Sequence, residues 1–485
     1  MKRDKIKTLI LVLLVANSLF LTSQIWFSKE LWSQDYNFFA NWRDNIVIDS
    51  IRQVMPWMAK EGQENIRLQD NSYMPQRIVV NYGNNRAIHV NGNNIYNDYL
   101  EEVSKMLEML FKGEQELRYR QIESKDEWLD ALKQKSIYID LRAPYRTRHI
   151  GQFFGLKETP LSNHLKELKE LIILPGEPTS GDIICYIKNN QDGSVFKYYL
   201  KYDKSNIHQL LQKYASSVSA SYRFSFELGF DKKQNSKLQV DSFVLFPFSK
   251  QQASALKGTN PIDMENDIKD ILRVFKYSTN NLRKYTELDD TVVYVENDST
   301  LKIHPNGLIE YDAIQEDKGL LLSRFLSSEE NALPPFRQSV GMAVNLMNSI
   351  QGADYIQLSS ATEDSSKPGS YKFTFNYFYE GLPVRMKLDN IKLNDAVSVE
   401  IINGRLKSYH HYVRSYQPVK NVGIDAPVPY VLDNIFKLIN NSQNEIKITD
   451  LFLDYEEHGT EEILEPQWGI KIEGNKNIFT MPTAK

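Results

Sequence analysis

Residue types that could carry out nucleophilic catalysis occur in this sequence without the spacing that catalysis needs. The single cysteine, Cys185, lies in the apolar stretch GDIICYIKN and has no histidine close in sequence to activate it. It is predicted to be a buried strand residue, and it cannot form an intramolecular disulfide. Ser254 and Lys257 match a Ser-x-x-Lys spacing, but no Ser-Asp-Asn motif accompanies them, so a chance match is favoured.

Metal and cofactor motifs are missing from the sequence as well. His410 and His411 are adjacent on a predicted strand, so their side chains point to opposite faces and cannot share one metal ion. We expect both to be surface or hairpin residues. No GxGxxG, P-loop, HExxH or GxSxG motif occurs. The sequence therefore presents no catalytic set, no metal site and no cofactor motif.

A basic cluster is the most suggestive group for binding. Arg142, Arg146, Arg148 and His149 crowd basic groups between a predicted strand, SIYIDL, and the apolar stretch FFGL. Such a cluster could bind an acidic partner or an acidic wall polymer. The alternative is a solvated loop, and this alternative is favoured.

An apolar run at the N-terminus predicts a membrane anchor. Residues 8–27, TLILVLLVANSLFLTSQIWF, suffice to span a bilayer core of about 30 Å, and no small-x-small cleavage site follows them. Basic residues in MKRDKIK precede the run. By the positive-inside rule, residues 1–7 form a cytoplasmic tail and everything after residue 27 lies outside the cytoplasm.

Polar residues within this run form a stripe along the predicted helix. Asn17 and Gln24 fall on one line of the helix, and Ser18 and Thr22 flank it. Two interpretations remain open. The hydroxyl groups could bond back to their own helix while Gln24 reaches the interface, or the stripe could hydrogen-bond to a partner helix, an interpretation that Asn17 favours.

The composition is that of folded, globular material, with 485 residues, 41% hydrophobic and 25% charged. The formal net charge is −4, and residues 1–7 contribute +3, which leaves −7 on the rest of the chain. An acidic surface of this kind argues against nucleic acid as a partner.

The pattern of elements predicts an α+β fold in three domains after a tether at residues 28–74. Residues 75–190 form the first domain, with an amphipathic helix at NNIYNDYLEEVSKMLEMLFKG, a second short helix at KDEWLDALKQ and a third predicted helix at SNHLKELKEL. Residues 191–318 and 319–485 form a middle and a C-terminal domain. In each, two helices lead into antiparallel strands, so we predict two similar modules. Asn-Gly pairs at 306–307 and 403–404 mark hairpins.

Several segments together resemble the YycH family, whose members are membrane-anchored auxiliary regulators of the YycFG (WalRK) two-component system of low-GC Gram-positive bacteria. These segments are SLFLTSQIW, YVENDSTLKIHPNGLIEY, FNYFYEGLPV and VEIINGRLKSYHHYVRSY. The resemblance follows the order of nearly the whole chain. The GLPV segment is shared with the sister family YycI, but the length fits YycH better.

This resemblance implies a non-enzymatic regulator that is inserted once in the cell membrane and has its domains outside the cytoplasm. Its partners would be the sensor histidine kinase YycG (WalK) and a YycI-like (WalI-like) protein, and the kinase would control cell-wall metabolism. The spanning helix, with Asn17, Ser18, Thr22 and Gln24, would contact the helices of the kinase. The competing class is a tethered ligand-binding module or wall-associated enzyme, which a cleft with paired carboxylates or a perturbed pKa would support.

Overall fold

The computed structural model describes most of the chain from residue 75 onward. The described ranges are 75–83, 85–91, 94–113, 118–176, 182–216, 222–230, 238–264, 267–278, 282–326, 335–350, 356–388, 395–424, 428–440, 445–459, 463–474 and 478–481. All of them belong to one compact unit, Leu68–Lys485. The predicted spanning run at 8–27 and the tether at 28–74 lie outside the described residues and stay predictions.

Helices and strands are mixed along the described chain, which is an α+β protein. Its α-helices are α1 Asn94–Lys112, α2 Lys125–Lys133, α3 Thr147–Phe153, α4 Ser205–Ala215, α5 Ile268–Val274, α6 Pro335–Asn348 and α7 Val428–Asn440. The first of them confirms the amphipathic helix predicted from the sequence. Its buried face includes Tyr96, Tyr99, Val103, Met106 and Leu110, whose spacing of three or four residues places them along one side of a helix.

Seven strands form the first sheet, in the order β2-β1-β4-β5-β6-β7-β3 with every neighbouring pair antiparallel. The strands are β1 Arg77–Asn81, β2 Arg86–Val90, β3 Arg118–Gln121, β4 Ser136–Arg146, β5 Glu167–Leu174, β6 Asp182–Asn189 and β7 Val195–Lys201. Alternate residues face opposite sides of the sheet. Ile78 and Ile139 pack in one core with Val103 of α1, whereas Val79 and Tyr138 pack in another core with Trp128 of α2.

One predicted helix is a strand. The first two residues of the segment SNHLKELKEL end a short 3₁₀-helix, Pro160–Asn163, and its last five residues belong to β5. Its leucines have helical spacing, but β5 pairs with β4 on one side and β6 on the other. Pairing on both sides buries Leu168 and Leu171 completely, and this tertiary burial overrides a weak local helix propensity.

The remaining strands form a mixed sheet of 14 strands, a three-stranded sheet and a two-stranded sheet. Their ranges are β8 Tyr222–Phe224, β9 Leu238–Val240, β10 Leu245–Pro247, β11 Gln251–Thr259, β12 Arg283–Thr286, β13 Val292–Val295, β14 Ser299–Ile303, β15 Leu308–Ala313, β16 Leu320–Leu321, β17 Ile356–Glu363, β18 Ser370–Tyr379, β19 Leu382–Met386, β20 Val397–Ile402, β21 Arg405–Tyr412, β22 Ser415–Ile424, β23 Ile446–Glu457, β24 Ile463–Leu464, β25 Gln467–Ile472 and β26 Phe479–Met481. Both predicted Asn-Gly turns are confirmed as hairpins, β14–β15 and β20–β21.

Sheet pairing crosses the predicted domain limits. The limit between residues 190 and 191 falls in the turn of the β6–β7 hairpin, whose strands pair along their length. Across the limit at 318 and 319, β15 pairs with β21 and β11 pairs with β22. Strands of the predicted middle and C-terminal domains therefore share sheets, and the domain limits themselves stay a prediction.

Candidate functional site

The basic cluster predicted from the sequence lies where β4 runs directly into α3. Arg142 is in β4, and its side chain lies outside the described part of the structure. Arg146 ends β4, and Arg148 and His149 belong to the first turn of α3. This junction aims the last three side chains at a single carboxylate, that of Glu363 at the end of β17.

Three nitrogen atoms contact the same carboxylate oxygen. Glu363 Oε2 lies 3.2 Å from Arg146 Nη1 and 2.9 Å from His149 Nε2, and Arg148 Nη2 also donates to it. A fourth contact joins Arg146 Nη2 to the main-chain oxygen of Glu363 at 3.3 Å. Hydrogen bonds to an ionised carboxylate are about twice as strong as those between neutral groups, so the cluster holds Glu363 firmly.

Neutral contacts surround this ionic group. The ring of His149 stacks on Phe336 with 4.0 Å between ring centroids, and the main-chain N of Phe336 donates to Gln152 Oε1 at 3.0 Å. Arg337 Nη1 donates to the main-chain oxygen of Phe153 at 2.9 Å. The first sheet is thereby joined through α3 to α6 and β17 of the later sequence.

The titration of the site follows from burial and charge. Burial lowers the pKa of His149 to about 4, so the ring is neutral at neutral pH. A neutral ring that donates through Nε2 leaves Nδ1 as an acceptor, and Nδ1 has no hydrogen-bond partner among the residues that the structure describes. Burial of Glu363 opposes its ionisation, but the hydrogen bond from His149 and the charge of Arg148 outweigh burial and lower the pKa of this carboxyl.

The acidic group that the cluster binds in the described structure is thus in the same chain. Glu363 follows Arg146 by 217 positions, and no local pattern in the sequence links them. Binding of a separate acidic partner by Arg142, Arg146, Arg148 and His149 stays a prediction.

A second long-range ionic contact, which the sequence did not predict, connects β1 to β23. Arg77 Nη2 lies 3.0 Å from Asp140 Oδ2 and 2.9 Å from Asp450 Oδ1, and Arg77 and Asp140 are both buried. Lys169 Nζ is 3.8 Å from the other oxygen of Asp140.

The adjacent histidines of β21 do point to opposite faces. Both lie in the β20–β21 hairpin, one of the two expected locations, but His411 is not at the surface. It is completely buried, 3.1 Å from the hydroxyl of Tyr377 and 2.7 Å from that of Tyr409. Its ring lies on the side of β21 that carries Tyr409, and both Tyr377 and Tyr409 belong to the hydrophobic core. His410 faces outward, 3.6 Å from Asp312.

The candidate nucleophiles lie within strands, and Ser254 Oγ makes long contacts of 3.4 Å to Glu380 Oε2 and to Asn421 Oδ1. Cys185 is buried in β6, as predicted, and burial raises the pKa of its thiol to about 12, which keeps it protonated. Ser254 and Lys257 lie three residues apart on β11, where Ser254 is buried and Lys257 is exposed. Within the described ranges, no group of three or more histidine, cysteine, aspartate or glutamate residues is placed to hold a metal ion.

The predicted membrane-spanning helix lies in the N-terminal residues, outside the described ranges. No helix among the described residues is both long enough and apolar enough to cross a membrane. Asn17, Ser18, Thr22 and Gln24 lie outside the described ranges.

Comparison with known proteins identifies the fold. No family model matches the chain, and no curated protein sequence matches it. The chain is similar to the crystal structure of YycH from Bacillus subtilis, with 11% sequence identity, a TM-score of 0.54, and alignment over 85% of this chain and 96% of that one. It therefore has a YycH-like fold.

Proposed function

We propose that this chain is a non-enzymatic, membrane-anchored regulator of a sensor histidine kinase of the YycG (WalK) type, acting with a YycI-like partner to adjust cell-wall metabolism. The observation that carries this proposal is the YycH-like fold, which extends over 85% of the chain. The segments that resemble YycH in sequence overlap the strands β14, β15, β18, β20 and β21, so sequence and fold support the same family.

The mechanism we propose acts within the bilayer. A kinase that signals by small shifts of its membrane helices is biased by any neighbour that packs differently against its two states. Such a bias requires a difference in affinity between the states. Interhelical hydrogen bonds of about 0.6–2 kcal/mol each, from Asn17, Ser18, Thr22 and Gln24, would supply it.

The topology belongs to the same proposal. Residues 8–27 would anchor the chain in the cell membrane with residues 1–7 in the cytoplasm, and the folded domains would lie outside. Reporter fusions after Phe27 should then be active only outside the cytoplasm. Recovery of a shortened, soluble mature form would contradict the anchor.

We further propose that residues 191–318 and 319–485 are two similar modules. The order of elements supports this: α4 precedes β8 to β11 and α5 precedes β12 to β15, while α6 precedes β17 to β22 and α7 precedes β23 to β26. Superposition of the two modules in an experimental structure tests the duplication, and modules that do not superpose would contradict it.

Co-purification of the kinase with the full-length chain tests the function. The first variant replaces Asn17, Ser18, Thr22 and Gln24 with leucine. The matched control, Val12→Leu with Leu19→Ile, changes the opposite side of the predicted helix without changing its polarity. Export and expression are matched before recovery is compared.

We expect the all-leucine helix to recover less kinase and to change a reporter of kinase output, and the control to behave as wild type. Failure of the wild-type chain to recover the kinase would contradict the proposed function. Equal recovery and equal output with the all-leucine helix would contradict only the helix mechanism and would place the contact in the outer domains.

A further inference from the structure

We propose that Glu363 is an internal ligand that closes a binding site for an acidic, extended segment of another protein, and that Arg146, Arg148 and His149 form that site. The inference does not depend on the kinase. It concerns what the basic cluster binds once its internal carboxylate is displaced.

The way in which Glu363 is held indicates the chemistry that the site accepts. Glu363 is the last residue of the extended strand β17, and the cluster contacts both its side-chain carboxylate and its main-chain oxygen. Arg146 makes both kinds of contact. A peptide segment that presents an acidic side chain from an extended backbone offers the same pair of groups, whereas a phosphate polymer offers only the anion.

The cluster carries more positive charge than its internal ligand carries negative charge. Two guanidinium groups face one carboxylate, because His149 is neutral at neutral pH. The side chains of Arg146 and Arg148 are 34% and 47% exposed, whereas that of Glu363 is 8% exposed. The cations are thus accessible from solvent while the internal anion is covered, so an incoming acidic segment meets unneutralised charge.

Tethering explains why the site is closed in the free protein. A ligand on the same chain competes at an effective concentration in the millimolar range or above, so an external segment of weaker affinity is excluded. The apparent affinity of the cluster for an external segment scales with the fraction of molecules in which Glu363 has left the cluster. Removing the Glu363 charge should therefore expose the binding capacity of the two arginines.

The test measures binding of a fluorescent poly-glutamate peptide to full-length protein in detergent by fluorescence anisotropy. The variant is Glu363→Gln. The matched control is Glu316→Gln, which removes the same charge from an exposed ion pair with Lys367, in the turn between β17 and β18. We expect Glu363→Gln to bind the peptide about tenfold more tightly than wild type or more, and Glu316→Gln to bind as wild type does. Adding Arg148→Gln to Glu363→Gln should remove the gain.

Unchanged peptide binding by a folded Glu363→Gln protein would overturn the proposal, as would an equal gain in Glu316→Gln. Inorganic polyphosphate is the second probe, and a gain for polyphosphate without one for poly-glutamate would overturn the assignment to a peptide. A measurement on the wild-type chain remains decisive if the variant unfolds. Saturating poly-glutamate should speed amide hydrogen exchange in Ile356–Glu363, because peptide and Glu363 compete, and unchanged exchange would contradict the competition.

Discussion

Arg77, in the first described strand, donates a 2.9 Å hydrogen bond to Asp450, which follows it by 373 positions. The same nitrogen lies 3.0 Å from the buried Asp140. One guanidinium group thus holds two carboxylates and joins the first sheet to β23 of the large sheet. Contacts between residues so far apart in sequence fix how the early and late elements pack.

Replacement of Arg77 by methionine should strongly destabilise the protein. The aliphatic part of the side chain is kept, but Asp140 and Asp450 lose their shared cation in a buried environment. Removing one partner of a buried ion pair costs about 3–5 kcal/mol in the free energy of unfolding. Urea denaturation measures the loss. The control is Arg118→Met, which breaks a more exposed pair with Asp182 and should cost less than about 1 kcal/mol. Equal losses would contradict the role of Arg77.

A side chain at position 381 should destabilise the protein more than one at position 193. Gly381 lies in the turn of YEGLPV with a φ of 81°, and a Cβ atom there would lie 2.4 Å from Val90 Cγ2 and 2.7 Å from the main-chain oxygen of Asn91. Gly193, in the β6–β7 turn, has a φ of 73° but an open surrounding, so Gly193→Ala should cost only the backbone strain of about 1–2 kcal/mol. Gly381→Ala should cost about 1–3 kcal/mol more in urea denaturation, because of the clash. Similar losses of stability in the two variants would show that the turn at Gly381 shifts and relieves the clash with Val90.

His411 should make stability depend on pH. Burial lowers its pKa to about 3, against about 6.5 in an unfolded chain. Between these values unfolding takes up a proton at His411, so this group makes the free energy of unfolding rise with pH and fall as acid is added. His411→Gln should reduce the slope of the unfolding free energy against pH by about 1.4 kcal/mol per pH unit between about pH 4.5 and about pH 6. This reduction corresponds to the uptake of about one proton on unfolding.

The neighbouring histidine is the control for this slope. The nearby carboxylate of Asp312, 3.6 Å away, raises the pKa of His410, so both its folded and unfolded forms are protonated below pH 6. His410→Gln should leave the slope in that window unchanged. A slope that responds equally to both substitutions would contradict the burial argument.

Cys185 should resist thiol reagents until the protein unfolds. It is the only thiol in the chain, so labelling reports on this site alone. Because burial raises its pKa to about 12, only about one thiol in 10⁴ is ionised at pH 8 even if reagent could reach it. We expect reaction with a chromogenic disulfide in native buffer to be at least about 100-fold slower than in denaturant. Fast labelling of the native protein would place Cys185 at the surface.

The sequence predicted those structural features that depend only on residues close together in the chain. The amphipathic spacing of α1, the Asn-Gly turns at 306–307 and 403–404, and the opposite orientation of His410 and His411 follow from the geometry of helices, turns and strands. The resemblance to YycH also came from the order of short segments, and the fold agrees with it.

Burial and long-range pairing required the tertiary structure. The leucines of β5 fit a helix until pairing with β4 and β6 makes the segment a strand, and His411 is buried because its side of β21 packs with Tyr377 and Tyr409 in the core. Glu363 could not be assigned to the basic cluster, because it is separated from Arg146 by 217 positions. The sequence by itself thus determined the α+β class, the turns and a basic cluster near residue 146. Only the tertiary structure decided which carboxylate binds that cluster, because ionic partners are selected by distance in space after the sheets have assembled.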